Sequence, residues 1–444
     1  VYVFSITFAM SGVGLASTRL VAEELALKNE QGAKRAMKRC LTYACFFGSL
    51  AGFTLFFCSH YIAVNYLRNE LTEKSLKVLA LSLPFMAASS AISGYFTAVR
   101  RVFKSATAQL LEQFTSITIT IYILTYFAPK GVEYACLAIV TGGVASEVLT
   151  FLYLLTLFLI DKRRYKNLRS GKEITKRMLK ISLPVALSSY LKSGLSTIKH
   201  LLIPVKLEMS GLSKSNALSK YGMIHGMVMP VILFPAAFIS AFSSLLVPEI
   251  ANCNAKKNHA RINYIISRVF KVTMILSICI TGVLYYFSDE LCMAIYKNTN
   301  VSFYIKLLSP LIAIMYLDSI VDSLLKGLDK QVSVVWVNII DTVACIGLIF
   351  VLLPAYGIKG YIAVIFISEL LNGYLSINKL FKTTSFDIKL IDWVVKPVVA
   401  IIIAVFIAGR LGFEGLMQGI GTTAAIYFVI LILTGCIKKE DFII

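Results

Sequence analysis

The stretch "ATAQLLEQFTSITITIYIL", Ala106–Leu124, begins with polar residues and ends in an apolar run long enough to enter a membrane. At a shift of 229 residues its segment "AQLLEQ", from Ala108, aligns with "VNIIDT", from Val337. The alignment places Glu112 opposite Asp341, so an acidic residue recurs at the same place in two apolar segments. This recurrence indicates that the chain contains an internal repeat.

Other segments repeat at nearly the same distance. At a shift of 226 residues "LVAEE", from Leu20, aligns with "LVPEI", from Leu246. Further along, the pair Ser146-Glu147 returns as Ser368-Glu369. Because both copies of each segment are expected on the same side of the membrane, the repeats are parallel, related by an axis along the membrane normal. The sequence therefore predicts two homologous lobes.

Composition identifies the class of protein. The chain has 444 residues, of which 57% are hydrophobic and 15% charged, a balance typical of an integral membrane protein. Since a helix needs roughly 20 apolar residues to cross the bilayer, we predict an all-α protein with about thirteen spans. They are 1–21, 39–63, 75–97, 105–127, 134–160, 179–205, 222–247, 264–288, 304–325, 332–353, 359–381, 391–409 and 416–437.

The distribution of charge predicts the orientation. The net charge is +20, but lysines and arginines concentrate in alternate loops, as in multi-pass proteins whose basic loops face the cytoplasm. This pattern predicts a cytoplasmic C-terminus and excludes nucleic acid as the partner. The most basic loop, "DKRRYKNLRSGKEITKRMLK" at 161–180, is expected to lie against anionic membrane lipid.

These patterns predict the domain organisation. We expect an N-terminal lobe at 1–160, a basic cytoplasmic linker at 161–178, a C-terminal lobe at 179–382, and two additional spans with a cytoplasmic tail at 383–444. The span at 179–205 opens the second lobe, and its counterpart in the first lobe would precede Val1. The sequence is therefore expected to lack one N-terminal helix of a protein with fourteen spans.

Acidic and amide side chains recur inside the predicted spans. A charged group at this depth costs a few kcal/mol, about 3 on insertion scales, and generally faces the protein interior or a water-filled cavity. One interpretation is a cavity lining that couples transport to a cation, H⁺ or Na⁺; the other is hydrogen bonding between packed helices, worth about 0.6 kcal/mol per bond. The candidates are Gln109, Glu112, Glu147, Asn338, Asp341 and Glu369.

Three cations lie within or at the ends of apolar segments. Arg19 follows "GLAST", and Lys192 and Lys199 lie on a polar stripe in "LPVALSSYLKSGLSTIKHLLIP". Lys192 is too deep to reach either interface unaided, so it either lines a cavity or forms an ion pair with Glu112 or Asp341. Lys199 either shares that cavity or extends outward to the interface.

Sequence patterns for metal binding and nucleotide hydrolysis are absent. The nine cysteines are scattered without a C-x-x-C pair, the four histidines are far apart, and "GxxxxGK[ST]" does not occur. We therefore expect no metal site, no bound cofactor and no direct use of ATP, and we predict a transport protein rather than an enzyme.

Several stretches resemble one group of transporters. They are "LLIPVKLEMSGLSKSNALSKYGMIHGMVMPVILFPAAFISAFSSLLVPEIA" at 201–251, "STRLVAEELALKNEQG", "SGYFTAVRRVFKSATAQLLEQF" and "YGIKGYIAVIFISELLN". These are similar to the stage V sporulation protein B group of the polysaccharide transporter family, over essentially the whole chain. The resemblance implies the multidrug, oligosaccharidyl-lipid and polysaccharide exporter (MOP) fold, which is MATE-like, with two six-helix lobes and two further helices.

The resemblance also implies a function. Members of the group are associated with spore cortex peptidoglycan, and the expected substrate is an undecaprenyl-pyrophosphate-linked glycan, flipped across the bacterial cell membrane by alternating access. Arg19, Lys192 and Lys199 would then meet the anionic headgroup, a groove by the last two helices would hold the lipid tail, and the protein would act as a monomer. The alternatives are a cation-coupled multidrug exporter of the MATE type and a non-transporting membrane scaffold.

Overall fold

A computed structural model describes residues 2–10, 12–26, 29–66, 70, 72–162, 174–386, 389–411 and 415–437, and these residues are almost entirely helical. The first half contains α1 (Tyr2–Met10), α2 (Val13–Ala26), α3 (Glu30–Tyr61), α4 (Thr72–Ala98), α5 (Val102–Phe127), α6 (Val132–Lys162) and α7 (Ile174–Glu208). The second half contains α8 (Lys214–Met223), α9 (Met229–Leu233), α10 (Ala236–Ala255), α11 (His259–Tyr286), α12 (Ser288–Tyr296), α13 (Ser302–Leu308), α14 (Ile312–Gly327), α15 (Gln331–Phe381), α16 (Lys396–Leu411) and α17 (Leu416–Leu433).

Ten helical segments of the described chain are long and apolar enough to cross a membrane. The number is smaller than that of the predicted spans for three physical reasons. The segment α15 contains two predicted spans, which meet at Gly357 and count once. Helix α7 is long but carries many basic residues, and the predicted span at 222–247 is divided among α8, α9 and α10. The chain is a multi-pass membrane protein.

The chain forms two compact units, Val1–Leu201 and Leu202–Ile444. In the first unit small residues bring helices into backbone contact, as is common in membrane bundles. A Cβ atom added at Gly48 would lie 2.8 Å from the Cα of Pro84, and one added at Gly52 would lie 2.9 Å from the carbonyl oxygen of Ala80. Helices α3 and α4 therefore pack closely along these glycines.

The second unit contains a chain reversal inside α15. Gly357 has φ 56° and ψ −129°, a backbone conformation that glycine adopts without the strain that a side chain would add. The side chains of Asp341 and Ser368, 27 residues apart, form a hydrogen bond of 2.7 Å. In a straight helix they would be about 40 Å apart, so α15 is a helical hairpin.

A second break lies between α9 and α10, where Pro235 removes a backbone donor. The buried hydroxyl of Tyr316 on α14 donates a hydrogen bond of 2.7 Å to the carbonyl of Ile232. A neighbouring helix thus satisfies a carbonyl beside the break, as burial in a membrane protein requires.

The last two helices pack on α11 in the second unit. The buried Tyr427 of α17 donates a hydrogen bond of 2.8 Å to the carbonyl of Ile275 on α11. The aliphatic side chains of Ala400, Ile401 and Ala404 on α16 pack in the same apolar cluster. The additional pair is therefore anchored through α11.

A pair of adjacent glycines in α6 tests how closely this helix approaches α5. A Cβ at Gly142 would clash with the Oγ1 of Thr120 and lie 2.9 Å from its Cα, whereas a Cβ at Gly143 would meet nothing within 4 Å. Both changes to alanine gain about 1 kcal/mol of helix propensity, but overpacking costs about 1–3 kcal/mol. We expect Gly142→Ala to lower the melting temperature of the purified protein and Gly143→Ala to leave it unchanged or raise it; equal melting temperatures would contradict the close contact.

Candidate functional site

Two carboxyl groups meet in the first unit. Glu112 on α5 and Glu147 on α6 are half-buried, and their carboxyl groups lie close enough to interact electrostatically. Two carboxylates in such proximity repel one another, and this repulsion favours a proton or another cation on the pair. The pair is thus a candidate site for a proton or another cation.

The surroundings of this pair are polar on one side. The hydroxyl of Tyr2 on α1 lies close enough to Glu147 to interact with it electrostatically, and it forms a hydrogen bond of 2.7 Å with the hydroxyl of Ser82 on α4. The sulfur of Met86, one turn further along α4, lies 3.4 Å from the Tyr2 hydroxyl. Helices α1, α4, α5 and α6 therefore converge on the acidic pair.

The second unit contains the related arrangement across the α15 hairpin. The hydroxyl of Ser368 donates to the carboxylate of Asp341 at 2.7 Å, and Glu369 follows Ser368 directly. Nearby in the same unit, the side-chain amide of Asn372 donates to Asp318 on α14 at 2.8 Å. One oxygen each of Asp318 and Asp322 is out of contact with solvent. This half of the chain therefore also buries carboxylates between helices.

The two arrangements occupy equivalent positions of the sequence repeat. Glu112 aligns with Asp341, and the pair Ser146-Glu147 aligns with Ser368-Glu369. In each unit the carboxylate of the first segment contacts a member of the second pair, Glu147 in one and Ser368 in the other. The repeat therefore conserves the contact between two helices while the partner group differs.

The amide candidates lie outside these contacts. Gln109 is exposed, and Asn338 donates a hydrogen bond of 2.8 Å to the carbonyl of Val334 within its own helix. Both lie on the helix face that the sequence predicts, one turn before Glu112 and Asp341, whose carboxyl groups instead approach side chains of a second helix.

The cationic candidates differ in how they are held. Arg19 is 64% exposed and forms an ion pair of 3.0 Å with Glu23, one turn later on α2. Lys192 is exposed, and within the described part of the first unit no ion pair joins it to Glu112. Lys199 is half-buried and, seven residues on, shares the same face of α7. Sequence reasoning missed the pairing of Arg19, although the i, i+4 spacing to Glu23 indicates it.

An apolar groove of ≈ 510 Å³ runs along α16, one of the two additional helices. Its walls come from α11, from the start of α14 and from α16, and its lining is almost wholly aliphatic or aromatic. A separate apolar groove of ≈ 420 Å³ lies between α3 and α4 in the first unit. Both grooves are lined almost wholly by apolar side chains. Of the two, the first is lined in part by α16, whereas the second contains no residue of the additional helices.

No group of three or more histidine, cysteine, aspartate or glutamate side chains that could hold a metal ion occurs among the described residues. The most basic part of the predicted linker, at 163–173, lies outside the described residues. The expectation that it lies on anionic lipid therefore stays a prediction.

Comparisons with known proteins agree with this architecture. Residues 1–205 match the family described as polysaccharide biosynthesis protein. Over 98% of its length the chain is 25% identical to stage V sporulation protein B of Bacillus subtilis (strain 168), covering 87% of that protein.

Solved structures share the fold. The lipid II flippase MurJ, in an inward closed conformation, matches with a TM-score of 0.67 at 12% identity, over 98% of this chain and 92% of that one. An inward-facing multidrug resistance MATE family transporter of the MOP superfamily matches with a TM-score of 0.63 at 14% identity, over 86% of this chain and 89% of that one. Both of these solved structures are of membrane transport proteins. The resemblance seen in the sequence is therefore confirmed: the chain is similar to stage V sporulation protein B over almost its whole length and has the fold of the MOP superfamily transporters.

Proposed function

We propose that this protein is a flippase that moves a lipid-linked, pyrophosphate-bearing glycan across the bacterial cell membrane by alternating access. The substrate would be an undecaprenyl-linked peptidoglycan intermediate for the spore cortex, moved as a monomeric carrier from the inner to the outer leaflet. The similarity over 98% of the chain to stage V sporulation protein B supports the association with sporulation. The two lobes and the cytoplasmic C-terminus predicted from the sequence are part of this proposal.

The apolar groove along α16 carries the proposal. A carrier of small soluble drugs needs no extended hydrocarbon-lined surface, whereas a substrate with a long polyprenyl tail does. The MATE structure covers 86% of this chain, whereas the lipid II flippase covers 98%. The part left uncovered by the MATE structure is similar in length to 383–444, the segment that contains α16 and α17.

Charge supports an anionic headgroup. Lys192 is exposed on α7 without an ion pair to Glu112, and Lys199 follows on the same face. Both amino groups can therefore meet pyrophosphate oxygens without first breaking that pair. Arg19 is held by Glu23, so its guanidinium would bind an anion only by sharing or releasing this carboxylate.

The acidic pair supports coupling to a cation. The proximity of Glu112 and Glu147 favours a shared proton, which the protein would bind on one side of the membrane and release on the other. One charge crossing a membrane potential of 100 mV contributes about 2.3 kcal/mol. Of the two cations that the sequence suggests, the carboxyl–carboxyl contact favours H⁺ over Na⁺ in the first unit.

A cation-coupled multidrug exporter is the second candidate function. The observation that favours it is the match to the MATE transporter at a TM-score of 0.63, together with acidic side chains that lie between helices in both units. The two candidates differ in the charge of their cargo, since a drug exporter of this kind takes cations and a flippase takes a pyrophosphate.

Lys192→Ala tests the headgroup contact. Losing a hydrogen bond to a charged group costs about 1.5–3 kcal/mol, so we expect the flipping rate of a labelled lipid-linked pyrophosphate glycan to fall about tenfold or more in proteoliposomes. Lys34→Ala removes an exposed lysine of the same unit and serves as the control. A Lys192→Ala protein that flips as fast as the control would rule out this contact.

Filling the groove tests the lipid tail. Val398 lines the α16 groove and Leu81 lines the groove between α3 and α4, and both side chains are exposed. We expect Val398→Trp to slow flipping several-fold because the larger ring occupies the space of the tail, while Leu81→Trp retains the wild-type rate in the same vesicle assay. The opposite ranking would show that the tail does not use the α16 groove.

Glu112→Gln tests proton coupling. One unit of pH gradient is worth about 1.4 kcal/mol per proton, or about tenfold in an equilibrium. The glutamine can donate to Glu147 as a protonated carboxyl does but cannot release a proton. We expect flipping by wild-type protein to respond to a pH gradient and flipping by Glu112→Gln to be indifferent to it. Glu30→Gln, at the exposed start of α3, should retain the response; a full response in Glu112→Gln would contradict the assignment.

A further inference from the structure

A second, polar pocket lies next to the α16 groove. Its volume is ≈ 590 Å³, and it is formed by the first turns of α11, by the segment leading into α16 and by the residues that follow α17. The loops that adjoin it are the basic loops for which the sequence predicts a cytoplasmic position. The pocket is therefore expected at the inner-leaflet headgroup level.

The lining of this pocket is strongly cationic. Arg268, Lys271, Lys389 and Lys396 contribute to it, and Asp392 is the one carboxylate lining it within the described part of the chain. Asp392 is already engaged by Lys396 at 2.6 Å. The remaining cations leave an excess of positive charge, which favours an anionic ligand.

Arg268 is the feature that points to a ligand. Its side chain is only 7% exposed, and one terminal nitrogen, Nη1, donates to the hydroxyl of Tyr264. Its Nε and Nη2 are buried and have no hydrogen-bond partner among the described residues. Unsatisfied donors of a buried charged group are costly, and a guanidinium edge with two parallel N–H groups matches the oxygens of a phosphate.

An aromatic neighbour fixes this guanidinium. The carbon at the centre of the Arg268 guanidinium lies 5.2 Å from the centroid of the Tyr264 ring, a cation–π contact. Together with the Tyr264 hydroxyl, which accepts from Nη1, this contact holds the group in place. The Nε and Nη2 donors of Arg268 are thus held in position for an anion, and no carboxylate of the described residues occupies them.

The pocket and the apolar groove follow one another along the same two helices. On α11, Lys271 lines the pocket and Met274, three residues later, lines the groove. On the approach to α16, Trp393 lines the pocket and its neighbour Val394 lines the groove. A phosphate in the pocket would therefore place an attached hydrocarbon chain in the groove.

We propose that this basic pocket binds the phosphate headgroup of a lipid whose hydrocarbon chain lies in the adjoining α16 groove. Such pockets between membrane helices bind the headgroups of anionic lipids. The site rests on the pocket and groove themselves and not on transport, so it can be tested without a flipping assay. The phosphate can belong to a membrane phospholipid or to a polyprenyl pyrophosphate, and competition distinguishes the two.

Trp393 provides the measurement. The chain has two tryptophans, so Trp336→Phe leaves Trp393, in the wall of the pocket, as the single fluorophore. The full chain in detergent is titrated with brominated phosphatidylglycerol or brominated phosphatidylcholine, whose bromine atoms quench tryptophan on contact. We expect phosphatidylglycerol to be preferred about fivefold or more, since each basic residue at the headgroup level contributes about that factor.

Matched variants identify the pocket as the source of this preference. Arg268→Gln and, separately, Lys389→Gln, which changes an exposed side chain and should not disturb folding, are expected to reduce the preference towards one. The double variant Lys326→Gln with Lys330→Gln removes two exposed lysines from outside the pocket and should retain it. Equal quenching by the two lipids, or the same loss in the double variant as in Lys389→Gln, would overturn the proposal.

Competition with unlabelled compounds identifies which kind of lipid supplies the phosphate. Displacement of brominated phosphatidylglycerol by polyprenyl pyrophosphate supports the proposal and makes the site a docking station for the transported lipid. If polyprenyl pyrophosphate does not displace the brominated lipid but unlabelled phosphatidylglycerol does, the proposal is supported with a membrane phospholipid as the ligand. Displacement by inorganic phosphate or pyrophosphate at equal concentration would overturn it, because a free anion would then suffice.

Discussion

Carboxyl groups placed between membrane helices need partners within the protein, and this requirement governs the arrangement of both halves of the chain. Glu112 meets Glu147, and Asp341 meets Ser368, each across a pair of antiparallel segments. Such contacts need close helices, and glycine supplies the closeness in the first unit, where Gly142 packs directly on Thr120. Packing and charge are therefore linked, because the helix contact that holds the carboxylate also determines which side chain it meets.

The additional helices give the second unit what a lipid carrier requires. Tyr427 and the small residues of α16 fasten the pair to α11, and the seam between α11 and α16 becomes an apolar groove. At one end of that groove the chain places buried Arg268 and three lysines. A single amphiphile with a phosphate and a long hydrocarbon chain complements both surfaces, whereas a soluble drug cation complements neither.

The sequence predicts the helical class, the repeat and the polar faces, because apolar length and i, i+3, i+4 spacing are local properties. It places Glu112 and Asp341 on equivalent helices, but it cannot name their partners, since contact between Asp341 and Ser368 depends on the reversal at Gly357. It treats Arg19 as a cavity cation, while the structure pairs it with Glu23. Arg268 escapes notice altogether, because an arginine in the first turns of a span resembles an interfacial residue until its burial is known. The lobe boundaries and the roles of the cations remain predictions.

The central claim is that the cargo is a lipid-linked pyrophosphate. The most direct test is a paired transport measurement on the unmodified protein in one preparation of proteoliposomes, which follows leaflet exchange of a labelled polyprenyl-pyrophosphate glycan and uptake of a cationic dye under the same proton gradient. The account predicts that the labelled lipid exchanges leaflets faster than in protein-free vesicles while the dye distribution stays at the protein-free level. Dye transport without lipid exchange would contradict it and would assign the chain to drug export.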